Sequence, residues 1–478
     1  MDAPFPSWLT KQMLTGVKGF NLDAYLMALE GWRRGLTLKW YYDASDVTDL
    51  KMIGFNPLAK TFSLASEEAT HYFYRSRGDK VANEAVDFVT HKGVAKKYLQ
   101  EANVPTPDGK RYTEDVTDAD IIADVASMGF PLVIKPTFGS LGKGVIVDID
   151  SPEVLKSSLQ RVRRELGYSD ILVEQYVEGE DARIYVLDDR VLAATKRIPA
   201  HVIGDGEKTI EELIAAKNDV RQENPYLASK RIDIDTDLTY YLKDQGYTLQ
   251  SIVPEGVTVY VRGQSNVASG GDPIDMTDNI SKEAKDVAIQ AVKAIPGLVH
   301  GGVDVLMNGD KISVIEINGT SDLCLHMFPT HGEPRHVSEG IIDYYFPDTV
   351  GKAKDRTQIY FNYKTIRQLF LNGNAKDLTV PDAPEGPLHA KRFLVSGKVQ
   401  KVGYRNWIRK QAQNQGLHGY TRNLKNRKVV VIAASTDKDK VESFYDRCMQ
   451  GPPRAKVEHV EVYDWDRQVR VGFEVRRK

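Results

Sequence analysis

Apolar and polar positions alternate in two runs along residues 301–319, GGVDVLMNGDKISVIEING, and the break at Asn308, Gly309 and Asp310 predicts a β-hairpin. In that hairpin Glu316 and Asn318 share one face, Ile315 and Ile317 take the other, and Asp304 stands on the facing strand. Upstream, helical spacing covers 22–34 and strand-like pieces cover 36–42 and 62–65. From Thr90 the pattern alternates predicted strands (131–135, 144–148, 171–175, 182–187, 191–196) with capped helices. Ser151-Pro152 opens one helix, Thr209 and Glu212 form a capping box for a second, and Ser281 caps a third that runs to about Ile295. This α/β region ends near Phe346. Residues 380–390, VPDAPEGPLHA, read as a linker. Strands at 391–401, 428–433 and 457–463, with helices at 407–415 and 438–448, then predict a compact β-α-β-β-α-β domain.

A chain of 478 residues is too long for one core. The boundaries expected are an N-terminal α/β region over 1–89, a large α/β domain over 90–350, a linker over 351–389 and the small domain over 390–478. With 64 basic and 66 acidic residues, the net charge of −2 supplies no global field toward nucleic acid or an anionic membrane. The start of the chain lacks a basic segment followed by an apolar run, no stretch of about 18 apolar residues occurs, and Cys324 and Cys448 lie far apart. The expectation is a cytoplasmic protein without a disulfide framework.

Candidate chemistry changes that picture. Lys135 ends an apolar strand and is followed by PTFGSLGKG, where Gly139, Gly142 and Gly144 leave room for backbone N–H groups to approach an anion. Neither a P-loop nor a dinucleotide fingerprint is present there, and a plain strand connection would read the same way. In ILVEQYVEGED, residues 171–181, Glu174 and Asp181 suit a base amino group and a ribose diol, or are surface acids at a strand end. Asp304, Glu316 and Asn318 are oxygen ligands of the kind a hard cation takes beside phosphates; a solvated sheet face is the alternative. Lys92 opens the helical segment after His91, within reach of a phosphate or facing water.

Taken in order, the HK, VIKP, VEQYVEGED and EIN elements resemble the ATP-grasp superfamily of carboxylate–amine ligases over roughly 1–347. The stretches at 196–214, 261–278 and 317–337 are similar to the ATP-grasp half of cyanophycin synthetase and of fused glutathione-synthesising enzymes. The resemblance implies an ATP-grasp fold and ATP as cofactor, with magnesium, or manganese in its place, on Asp304, Glu316 and Asn318. Lys92 and Lys135 become phosphate ligands, and 137–144, with Gly139, Ser140, Gly142, Lys143 and Gly144, becomes a loop over the γ-phosphate. Glu174, Tyr176 and Val177 would meet adenine and Asp181 the ribose. Arg262 and Asn266 would hold the acyl phosphate or substrate carboxylate. Many such ligases carry an arginine two residues before the first metal ligand; Gly302 stands there, and Arg262 is the expected substitute. His326, His331 and Arg335 either line the acceptor side or buttress the last loop. The implied reaction is ADP-forming activation of a carboxylate as an acyl phosphate and its capture by an amine of an amino acid or peptide. The implied partners are small molecules only, with neither nucleic acid nor membrane, and many relatives form homo-oligomers.

The C-terminal segment carries GKVQKVGYR (397–405), GYTRN (419–423) and GPPRAKV (451–457), and resembles acylphosphatase over about 390–478. That resemblance makes Arg405 the substrate-binding arginine and Asn423 the residue that positions the attacking water. Lys401 replaces a cradle glycine, and Asn426-Arg427 replaces the usual Asp-Gly. One expected role is hydrolysis of stray acyl phosphate, and the other is docking. The second reading for the whole chain is an acyl-phosphate phosphohydrolase regulated by a nucleotide-binding ATP-grasp domain.

Overall fold

The computed structural model describes residues 5–43, 50–52, 58–139, 143–353 and 356–477. It divides into two compact units, one of residues 1–5 with 76–340 and one of residues 6–75 with 341–478. The residues expected as a separate N-terminal region thus fall mainly in the unit that also holds the C-terminal domain.

In the first unit, a four-stranded antiparallel sheet runs Gly109–Tyr112, Ile171–Gln175, Leu132–Pro136, Ile146–Ile149. Its apolar face packs Leu132, Ile134, Ile171 and Val173 against Ile121, Val125, Leu155 and Leu159 of two helices, all fully buried. A five-stranded antiparallel sheet runs Asp272–Asp275, Arg190–Ile198, Glu180–Leu187, His300–Asn308, Lys311–Asn318. Helix Lys282–Lys293 covers one face of it through Ala284, Ala288, Ala291 and Val292. The predicted caps form: Ser281 Oγ accepts from Ala284 N at 3.1 Å, and Thr209 and Glu212 make the reciprocal box.

The predicted hairpin forms, with Asn308 opposite Lys311 and Gly309 at φ +58°. Its register contains a device that simple alternation does not disclose. Val314 pairs with Val305 but Glu316 pairs with Asp304, so Ile315 is the extra residue of a β-bulge. Before the bulge Ile312 and Val314 enter the core; after it Ile317 does. The one-residue slip reverses the inward parity and leaves Glu316 and Asn318 on the face away from the core.

In the second unit, Thr37–Tyr41, Thr61–Ala65 and Thr70–Tyr74 form an antiparallel meander, and Asp377–Thr379 pairs with its first strand. Residues 351–389, expected as a linker, therefore contribute a strand, and they also carry helix Tyr363–Leu371. Following them, the sheet Lys456–Asp464, His389–Lys398, Val429–Ser435, His418–Asn423, Phe473–Arg476 has helices Tyr404–Asn414 and Lys438–Gln450 packed on its apolar face. Strand His418–Asn423 supplies the further strand that the β-α-β-β-α-β order requires, while Phe473–Arg476, of four residues, escaped the sequence pattern. Among the described residues no helix is long and apolar enough to cross a membrane.

Candidate functional site

Helix Lys92–Glu101 begins where His91 Nδ1 accepts from Val94 N at 3.3 Å, which fixes Lys92 in the first turn. Lys96 lies one turn later on the same face. Together with Lys135, Glu174 and Glu316 these lysines line one pocket of the first unit. Lys92 Nζ lies 3.1 Å from Glu316 Oε1 and donates to the Gly139 carbonyl oxygen at 3.1 Å. Glu174 is buried between Lys135, which pairs with Oε2, and Lys96, 2.7 Å from Oε1. Burial pushes the Glu174 carboxyl up, but the two ammonium groups outweigh it and hold the group below the usual range. Lys96 went unnoticed in the sequence, although the Lys92 to Lys96 spacing was a signal that both share a helix face.

The second cluster is centred on Asp304, 3% exposed and directly opposite Glu316. Arg183 Nε donates to Asp304 Oδ1 at 2.6 Å and its terminal nitrogen to Oδ2 at 2.8 Å; Arg197 adds a bond to Oδ2 at 3.0 Å. Burial opposes ionisation of Asp304, yet the two guanidinium groups draw its carboxyl down to about 2. Asp181 accepts from Arg197 Nε at 2.7 Å. Its burial, reinforced by the Asp304 charge, outweighs Arg197 and pushes its carboxyl up to about 6. Ser321 and Arg183 line the space beside Gly302. A Cβ there would come within 2.2 Å of Ser321 Oγ, 2.9 Å of Ser321 Cβ and 3.3 Å of Arg183 Cδ, so any side chain at 302 requires Ser321 to move.

The other candidates lie as follows. Gly139 (φ +144°) has open space around it. At Gly144 (φ +74°) a Cβ would press on Pro136 and Tyr168 at 2.9 Å, which makes glycine necessary. Lys143 is exposed, while Ser140 and Gly142 lie outside the described residues. Tyr176 is exposed and Val177 half-buried after the strand that carries Glu174. Arg262 is engaged with Asp235 at 2.7 Å and with the Asp233 carbonyl, and Asn266 caps a short helix by accepting from Ala268 N at 2.9 Å. The guanidinium groups gathered at Asp304 are those of Arg183 and Arg197. Arg183 follows Asp181 by two residues and faces Asp304 across the strands, a periodicity visible in EDARIYVL. Arg335 braces the Asp272–Asp275 strand through Asp275 at 2.6 Å.

Two histidines beneath this face are fully buried. His326 Nδ1 meets Thr195 Oγ1 at 2.7 Å and His300 Nδ1 meets Tyr185 OH at 3.0 Å. Burial pushes both imidazoles down to about 3, with Arg183 adding to the effect at His326 and Arg77 at His300. The unfolded chain takes up these protons near its ordinary pKa of about 6.5 and the folded chain does not, so stability falls as pH drops below that value. By about pH 5 the expected loss is roughly 2 kcal/mol per histidine at about 1.4 kcal/mol per pH unit. Urea titrations of the native chain and of His326→Gln at two pH values check it: the variant should lose less.

At the C-terminal domain, Arg405 stands in the first turn of helix Tyr404–Asn414 and donates weakly to the Arg476 carbonyl at 3.4 Å. Asn423 ends its strand with a buried Oδ1 that has no hydrogen-bond partner among the described residues. Gln400 Nε2 ties the loop before the helix to the next turn, donating to the carbonyls of Leu424 at 3.0 Å and Lys428 at 2.9 Å. Lys401 (φ +62°) and Arg427 (φ +65°), which replace the glycines expected there, both hold left-handed backbone.

The RimK-like ATP-grasp domain family matches residues 90–205 and the acylphosphatase family matches residues 391–475. Cyanophycin synthetase of Geminocystis herdmanii is 34% identical over 275 residues, covering 55% of this chain and 31% of that protein. The glutathione biosynthesis bifunctional protein of Clostridium perfringens is 29% identical over 350 residues, covering 70% of this chain and 42% of that one. The chain thus spans less than half the length of these curated relatives. An acylphosphatase structure from Coxiella burnetii is 30% identical and covers 19% of this chain and 93% of its own, with a TM-score of 0.18. The chain therefore joins a RimK-like ATP-grasp domain to a C-terminal acylphosphatase domain.

Proposed function

We propose that the ATP-grasp domain is an ADP-forming ligase that activates a carboxylate as an acyl phosphate and joins it to the amine of an amino acid or peptide. The C-terminal domain hydrolyses acyl phosphate that escapes. The observation that carries this reading is the pairing of Asp304 with Glu316 across two strands, with Lys92 on Glu316 and Lys135 in the same pocket. Two carboxylates at facing positions repel unless cations lie between them and solvent. The donor set suits a divalent ion such as magnesium: Glu316 is accessible, and the buried Asn318 Nδ2 has no partner among the described residues, so exchanging the amide ends offers its oxygen as a ligand. Asp304, Glu316 and Asn318 would hold the ion, which when bound neutralises phosphate charge.

The chain's own groups supply the rest. Lys92 and Lys135 exchange their carboxylate partners for phosphate oxygens. Glu174 and Asp181 orient the nucleoside. Arg183, already aligned by Asp304, presents its guanidinium edge to the acyl phosphate, the role the sequence assigned to Arg262. Preorganised charge of this kind is usually the largest catalytic term, and closure protects the acyl phosphate from water. An ADP-release screen across pairs of amino acids and short peptides tests the ligase; silence across all pairs would remove it.

For the hydrolase, the unpartnered Asn423 Oδ1 beside the loop tethered by Gln400 supports a water-orienting role. Arg405→Ala is expected to lower benzoyl phosphate turnover by about 10²-fold or more. Turnover that survives the substitution would leave the domain a docking module.

A further inference from the structure

Acidic residues in the acylphosphatase domain are confined to its second half. Residues 386–436 contain eleven lysines and arginines and no aspartate or glutamate, whereas in 437–478 nine acids nearly balance ten lysines and arginines. Two of those cations are neutralised, Lys391 by Asp464 and Lys428 by Glu461. Lys398, Lys401, Lys425 and Arg427 are exposed and make no ion pair among the described residues. The bonds of Gln400 to the Leu424 and Lys428 carbonyls set the loop carrying Lys398 and Lys401 beside the turn carrying Lys425 and Arg427. Arg405 leaves that loop at the start of the helix.

Two of these cations occupy backbone that disfavours them. Lys401 and Arg427 hold φ of +62° and +65°, where a side chain costs about 1–2 kcal/mol relative to glycine. Among the described residues neither side chain makes a hydrogen bond or an ion pair, so each cation remains exposed to solvent. We infer that these cations make the domain selective for acyl phosphates whose acyl group itself carries a carboxylate. The inference rests on the acylphosphatase reading. In the reaction, water attacks phosphorus and the bond from phosphorus to the acyl oxygen breaks. The electron pair leaves on the carboxylate, and both protons of the water end on the phosphate, giving dihydrogen phosphate. The remote carboxylate takes no part; it faces Lys401 and Arg427. An exposed cation about 7 Å from a carboxylate in water changes binding about threefold, less with added salt.

The test uses the full chain without ATP and compares 4-carboxybenzoyl phosphate with benzoyl phosphate, a pair in which the added carboxylate is too distant to attack its own ester. The expected ratio of kcat/KM favours the carboxylated ester about tenfold at low salt. In the Lys401→Gly, Arg427→Gly double variant, whose glycines suit the left-handed backbone, the ratio should fall at least fivefold, and unchanged thermal melting would show that the domain remains folded. A ratio that the substitutions and salt leave unmoved would overturn the selectivity alone. Failure of the native chain to hydrolyse either ester would overturn the acylphosphatase reading beneath it.

Discussion

Glu316→Ala should abolish ADP formation, with a loss of about 10³-fold or more under saturating ATP. The side chain is one-third exposed, and its partner Lys92, 13% exposed at a helix terminus, keeps its bond to the Gly139 carbonyl oxygen when the carboxylate is removed. Melting should therefore stay within about 0.5 kcal/mol of the native chain. The combination is diagnostic, because a large catalytic loss with intact stability locates the defect at the phosphates. Benzoyl phosphate hydrolysis, which uses Arg405 in the other unit, should persist. Retained ADP formation would remove Glu316 from the phosphate site.

The second large effect is on stability. Replacing Arg183 by methionine keeps most of its buried stem but leaves Asp304 with Arg197 as its sole described cationic partner in a site 3% exposed. Breaking a buried pair on one side costs about 3–5 kcal/mol, because the remaining charge is stranded away from water. The bidentate geometry places the expected loss toward the upper part of that range, and Arg197 pulls it down. Urea unfolding of the variant measures it, and adding Asp304→Asn decides the cause: a stranded charge predicts that the double variant regains stability relative to Arg183→Met. If the single variant unfolds at the native midpoint, the ion pair has no structural weight.

Much of the site could be read from residue order. The HK, VIKP, VEQYVEGED and EIN elements specify which polar groups end strands or open helices, and strand and helix periods are local properties of the chain. The capped helices and the hairpin turn followed from side chains bonding their own neighbours, which needs no tertiary information. Packing decided the remainder. The bulge at Ile315 exists because Ile317 and not Glu316 must fill the core beneath helix Lys282–Lys293, a choice made by the facing layer. The residues at Asp304 turned out to be Arg183 and Arg197, because strand pairing between Glu180–Leu187 and its neighbours sets who meets whom across about 120 positions of sequence. Lys401 and Arg427 were visible as departures from a glycine pattern, but only the folded loop gave them their left-handed backbone. Local sequence determined the periods and the caps; contacts between distant strands determined which charges are neutralised and which remain free to bind, since Coulomb energy depends on separation in space.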